Sequence, residues 1–180
     1  MNLHIELDAS HSAYEWLEKQ ADKIGARGHF GTHIDCYTAT PPQSKYELPV
    51  HLLRCEQGMP TLEITKQLPS LEGKALILYT GNMHRHGYGE TPYFETDTEL
   101  ADEVLTLLLS KRPSLLLIDS YGIGKHGPDH MRKDKRCEQQ GCYVIENICI
   151  TPEEVDLIQS IRIEFELNYP STGKPCKVWY

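Results

Sequence analysis

Three stretches of the chain are apolar without a polar break: Ala75-Leu76-Ile77-Leu78, Leu115-Leu116-Leu117-Ile118 and Tyr143-Val144-Ile145. Runs this short and unbroken read as strands buried on both faces. Near the C-terminus Ile161, Ile163, Phe165 and Leu167 alternate with Arg162, Glu164 and Glu166, the period of a half-exposed strand. Helical signals fall between these runs. Thr96 and Glu99 form a capping box ahead of Leu100, Val104, Leu107 and Leu108, and Pro113 ends the pattern. Ser12 and Glu15 form another before Tyr14, Trp16, Leu17 and Ile24, with Gly25 and Gly28 as stops. Thr151-Pro152-Glu153-Glu154 has the cap, early proline and acidic first turn of a short helix. Residues 37–49, rich in Thr, Pro and Ser, predict an irregular segment, and residues 82–91 a polar loop. Interleaved strands and helices without repeats or a linker predict one α/β domain over residues 1–180, with a mixed sheet. In such folds the chemically able residues gather just after the buried strands.

Composition narrows the function classes. A formal net charge of −8 argues against binding the phosphate backbone of a nucleic acid. The one mixed basic stretch, residues 125–136, also holds Asp129 and Asp134 and reads as a solvated loop or helix face. No run approaches the ~18–20 apolar residues of a membrane helix, and Met1 to Glu6 lacks the basic start of a secretory signal. A cytoplasmic location and no membrane partner are therefore expected. Six cysteines form no C-x-x-C pair; Cys137 and Cys142 have at most the spacing of a loose zinc hairpin, with no second pair to complete it. Phosphate loops, dinucleotide fingerprints and nucleophile elbows are absent.

The sharpest chemistry lies in His29-Phe30-Gly31-Thr32-His33-Ile34-Asp35. Two imidazoles and a carboxylate are a normal zinc donor set that leaves a position for water. A flat strand would put the two histidine Cα atoms about 13 Å apart, near the limit for one shared ion. Gly31 permits a bend that closes this distance; a turn of helix would also place the two histidines side by side. On spacing alone a metal site and a pair of surface histidines weigh equally. A second cluster is His126, His130 and Asp134 with Glu146 at the end of a strand, able to complete a second cation site or to supply an acid/base group. His84 and His86 share a loop without a carboxylate at useful spacing, and Tyr88, Tyr93 and Phe94 are possible pocket walls.

These residues resemble the cyclase family of metal-dependent hydrolases, to which bacterial kynurenine formamidase belongs. His29, Gly31, Thr32, His33 and Asp35 match its H-x-G-T-H-x-D motif without a gap. Leu78-Tyr79-Thr80-Gly81, Leu117-Ile118-Asp119-Ser120 and Val144-Ile145-Glu146-Asn147 are similar to later segments in the same order. The resemblance implies a swivelling β/β/α fold, a homodimer or homotetramer, and a small-molecule substrate. It implies a divalent metal, zinc first and manganese next, on His29, His33 and Asp35. Asp35 would bridge to a second ion held by Glu146 and an upstream histidine. Asp134 stands where that histidine is expected; the nearest histidine is His130. After Asp35 the family's P-x-H becomes Tyr37-Thr38-Ala39, so the proton-shuttling histidine is Ala39 here. Such a group is typically worth ~10²–10⁴-fold in rate. The activity implied is that of an arylformamidase of tryptophan catabolism, with Glu146 or His130 transferring the proton. The rival readings are a cyclic-amide or lactone hydrolase or a cyclase on the same scaffold, and a metal-binding homologue without catalysis.

Overall fold

The unbroken apolar runs become neighbouring strands in a sheet that closes on itself. The computed structural model describes residues 1–7, 9–10, 14–15, 18–19 and 27–180. Among these, the strands are β1 (His33–Asp35), β2 (Lys45–Arg54), β3 (Ala75–Tyr79), β4 (Leu115–Ile118), β5 (Tyr143–Glu146), β6 (Ser160–Phe165) and β7 (Gly173–Trp179). Their order around the barrel is β1-β5-β4-β3-β2-β6-β7. β2, β3, β4 and β5 run parallel to one another, while β6, β7 and β1 join by antiparallel pairing. The mixed sheet expected from the sequence is present; its closure into a barrel was not anticipated.

Parity along the parallel strands explains the unbroken runs. Ala75, Ile77, Leu115, Leu117 and Ile145 point into the barrel, where they meet Ile34, Ile161, Ile163 and Val178. Leu76, Leu78, Leu116, Ile118 and Val144 point outward into a second core. Helices cover that outer face: α1 (Leu62–Gln67), α4 (Asp102–Ser110) and α5 (Pro128–Gln139). Two shorter ones, α2 (Asn82–His86) and α3 (Thr91–Glu95), follow β3. Strands covered on both faces need apolar residues at every position. β6 has one face on the core, burying Ile161, Ile163 and Phe165 and exposing Ser160, Arg162 and Glu164, as the alternation predicted.

Several local expectations are corrected. Part of the segment read as irregular is β2, which starts at Lys45. Tyr46, Leu48, Val50 and Leu52 alternate towards the core, but Pro49 interrupts the reading because proline usually argues against an inner strand. Pro49 stands where β2 changes partners, from β6 before it to β3 after it. The helix expected from Thr96 starts at Asp102 instead. Its two capping residues are engaged elsewhere: Thr96 Oγ1 donates to Asn82 Oδ1 and Glu99 accepts from Lys133. Thr151 to Glu154 forms a turn rather than a helix, with Thr151 N–H bonded to the Glu154 carboxylate at 2.8 Å. The 125–136 stretch is largely solvated, as expected, except that α5 turns Lys133 and Asp134 inward and buries them. The helix proposed after Ser12 lies mostly outside the described residues. Among those described, no helix is long and apolar enough to cross a membrane.

Ile77 is fully buried on β3 inside the barrel. Ile77→Ala removes packing that surrounding strands cannot refill and should cost about 2–5 kcal/mol. Urea titration should show a lower midpoint with an unchanged slope.

Candidate metal centre

β1 contributes only three residues, yet it is paired on both sides. His33 sits opposite Glu146 on β5, and Asp35 opposite Gly173 on β7. Just before it, Arg27–His29 form a 3₁₀ turn, and the chain reverses through Gly31 at φ 58°. A Cβ at Gly31 would lie 2.3 Å from the Ile5 carbonyl oxygen, so the bend requires glycine twice over, for conformation and for space. Neither a flat strand nor an α-helical turn is used. The bend brings His29 Nδ1 to 3.1 Å from His33 Nε2 and 3.1 Å from Asp35 Oδ1, with His33 Nε2 3.7 Å from the same oxygen. Donors bound to one tetrahedral zinc at ~2.0–2.2 Å stand roughly 3.3–3.6 Å apart. The triad's distances of 3.1, 3.1 and 3.7 Å bracket that spacing.

The second group is built on α5 and β5. His130 and Asp134, one helical turn apart, face Glu146. His130 Nε2 is 3.2 Å from Asp134 Oδ2, 3.1 Å from Glu146 Oε1 and 4.0 Å from Asp35 Oδ2. The structure thus brings both alternatives for the upstream ligand to one place, and neither displaces the other. Asp35 stands between the groups, one oxygen towards each. Glu146 does the same, its Oε2 lying 3.5 Å from His33. Among the described residues, His29-His33-Asp35 and Asp35-His130-Asp134-Glu146 are the two sets whose ligand atoms all lie within 4.8 Å of one another.

The donor set fits a divalent cation on its hydrogen bonding as well as its spacing. Both Asp35 oxygens, both Asp134 oxygens, Glu146 Oε1 and His130 Nδ1 are buried and take no hydrogen bond of usable geometry. Buried polar atoms are rarely left so. His33 Nδ1–H donates to the Gly31 carbonyl at 3.0 Å, which leaves Nε2 as a bare lone pair aimed at the triad. His29 Nε2 pairs with Thr172 Oγ1 at 2.9 Å, which leaves Nδ1 directed at the triad. Burial pulls His33 down to about 4 and keeps it neutral, as a ligand must be. Burial works against ionising Asp35, but His33, His29 and His130 outweigh it and hold its pKa below the usual value. Burial would lower His130, yet Glu146, Asp134 and Asp35 raise it to about 11. Asp134 is pushed well up by burial and by Asp35. Glu146 rises to about 7, burial and Asp35 prevailing over His130.

A supporting layer escaped the sequence reading in part. Asn147, in the left-handed region at φ 59°, donates from Nδ2 to the Gly31 carbonyl at 2.8 Å. Its carbonyl accepts from Thr32 Oγ1 at 2.6 Å, and Thr32 Oγ1 in turn accepts from Ile5 N–H at 2.8 Å. Both residues lie in the quoted motifs, immediately beside ligands, which was the available signal. Tyr88 and Tyr93 are buried rather than pocket walls. Tyr88 accepts from Gly31 N–H, and Tyr93 donates to Asn147 Oδ1. Gly122 crosses the second group at φ 129°, where a Cβ would meet Glu146 Oε1 at 2.4 Å. His126 is not in either group; it stacks on Tyr121 with ring centroids 4.3 Å apart. His84 is exposed and His86 half-buried, both outside the groups, and Cys137 and Cys142 are buried free thiols.

No protein-family model matches the sequence, and no curated protein matches it significantly. Solved structures do. A potential metal-dependent hydrolase with cyclase activity aligns over 99% of this chain and 94% of its own, at 16% identity and TM-score 0.66. An isatin hydrolase bound to the product analogue thioisatinate covers 84% of this chain and 72% of its own, at 13% identity and TM-score 0.63. A predicted metal-dependent hydrolase from Bacillus stearothermophilus covers 84% and 76%, at 17% identity and TM-score 0.53. The chain shares its fold with metal-dependent hydrolases.

Two outcomes are expected of metal binding. His33→Ala should lower the divalent metal content of protein purified without chelator, and equal content in both proteins would overturn the triad. Cation binding should also release protons, because His130 and Glu146 must give them up. Glu146 is largely protonated at pH 6 and ionised at pH 8, so affinity should rise over that interval. Calorimetry in buffers of different ionisation enthalpy measures the release.

Proposed function

We propose that this protein is a divalent-metal-dependent hydrolase of amide bonds, acting on formyl-arylamines or on a cyclic amide. The observation that carries this reading is Asp35, buried with one oxygen facing His29 and His33 and the other facing His130. His29, His33 and Asp35 would hold one cation, and Asp35 with His130, Asp134 and Glu146 would be able to hold a second. Zinc suits the imidazole and carboxylate donors best, with manganese next. Such an ion lowers the pKa of water towards ~7 and polarises a carbonyl oxygen.

The chain's own residues supply the rest. His33 stays neutral and fixed in one tautomer by Gly31, so it offers a lone pair and no proton. With a cation on the triad and none on the second group, Glu146 and His130 face each other at 3.1 Å and keep the mobile protons of the site. A leaving amine needs a proton as the carbon–nitrogen bond breaks, and this pair is placed to deliver it in the role vacated at Ala39. Gly122 packed over Glu146 and His130 limits the room above them.

Ring opening of a cyclic amide is the second form of the reaction, favoured by the likeness to isatin hydrolase. The swivelling β/β/α arrangement, a single domain over residues 1–180, a homodimer or homotetramer and a cytoplasmic location belong to the same proposal.

A panel of formyl-arylamines, cyclic imides and lactones tests the reaction on zinc- and manganese-loaded protein. Turnover of formyl-arylamines supports the arylformamidase form, and turnover confined to cyclic compounds the ring-opening one. No turnover with stoichiometric metal would overturn the enzyme reading. Glu146→Gln should lower kcat by ~10²–10⁴-fold while metal remains on the triad. Full turnover in that variant would remove Glu146 from proton transfer.

A further inference from the structure

The segment after Asp35 turns away from the barrel and is gripped by one side chain. Glu138 on α5 is only 5% exposed, and its carboxylate accepts from Tyr37 N–H at 2.5 Å, Thr38 N–H at 2.8 Å and Ala39 N–H at 3.2 Å. Thr38 Oγ1–H adds a fourth bond at 2.5 Å. A carboxylate taking this many donors makes charge-assisted bonds that hold three consecutive residues in one geometry. Glu138 follows Asp134 by four residues, as Asp134 follows His130, so one helix face carries two members of the metal centre and this clamp.

The clamp leaves Ala39 exposed and turns Tyr37 inward. The Tyr37 ring lies against His29, centroids 6.0 Å apart and planes 29° from parallel. Lys135 Nζ sits 5.9 Å from the ring centroid. Its hydroxyl neighbours Asp35, Asp134 and Glu146, with Asp35 in hydrogen-bond reach. The group placed beside the triad is a phenol, which is un-ionised at neutral pH and can donate a hydrogen bond.

We propose that Tyr37, held by the Glu138 clamp, is a substrate-contacting residue whose hydroxyl donates a hydrogen bond to the carbonyl oxygen of the amide in the pocket. This rests on the hydrolase reading for the identity of the ligand. No proton leaves Tyr37 in this role. A donor fixed in advance at the oxygen where negative charge gathers is worth most when nothing must reorganise to use it, and the clamp supplies that fixation. Glu138 acts through Tyr37 and is a positioning residue.

The test uses zinc-loaded full-length protein and acetohydroxamate, a carbonyl compound that needs no turnover to bind. Tyr37→Phe keeps the ring and removes only the donor. It should retain wild-type metal content by elemental analysis while binding acetohydroxamate roughly tenfold more weakly by calorimetry. Glu138→Gln should weaken binding in the same direction, because an amide placed among three N–H donors releases the turn. Unchanged acetohydroxamate affinity in Tyr37→Phe would overturn the proposal. So would loss of zinc in that variant, which would mean that the hydroxyl serves the ligands rather than the substrate. If Glu138→Gln keeps full affinity with an unaltered melting profile, the clamp is overturned. Should the amide panel show no turnover while Tyr37→Phe still weakens acetohydroxamate, the hydrolase reading fails and the Tyr37 contact stands.

Discussion

Asp35 is fully buried, carries no hydrogen bond of usable geometry on either oxygen, and is faced by three histidines from three separate elements. Burying a lone carboxylate is costly unless opposite charge or metal coordination compensates. Much of the surrounding architecture serves that compensation. His29 arrives on a 3₁₀ turn, His33 from β1 itself and His130 from α5. Their convergence depends on closure of the barrel, because β1 is short and owes its place to β5 on one side and β7 on the other.

Around this centre the polar groups are paired in layers. Thr32 ties the N-terminal segment to the residue after Glu146, and Asn147 ties that residue back to Gly31. A neighbouring network lies at the ends of β3 and β4. Asp119, raised to about 6 by burial, accepts from the Thr80 N–H and hydroxyl and from Gly81 N–H at 2.6–2.7 Å. These contacts fix the ends of the parallel strands, where loops carry the chemistry while the apolar strands beneath supply rigidity. The likeness to metal-dependent hydrolases at 13–17% identity concerns this shared framework.

Legibility followed the range of the forces involved. β3, β4, β5 and β6 could be read because burial on one or two faces writes itself into adjacent residues. β2 could not, since Pro49 obscured its alternation and the change of partner at that point is a long-range event. Thr96 and Glu99 have the local chemistry of a cap, but Asn82 and Lys133 engage them first. On α5, Lys133 reads as a solvated charge, yet it is buried against Glu99 and Asp129 at 2.9 Å each. Tertiary contacts outweighed local propensity in each case.

By itself the sequence determined the donor types and the apolar strands β3, β4 and β5, which depend on neighbours a few residues apart, and it allowed the bend at Gly31 as one option beside a turn of helix. His29, His33 and Asp35 were recognisable as a set because seven residues contain them. Only the tertiary structure decided that His130 and Asp134 both join Glu146, since a helix face and a strand end meet through barrel closure and not through spacing. It also decided that Tyr37 turns towards Asp35 while Ala39 faces solvent, because Glu138, about a hundred residues away in the chain, grips the turn between them.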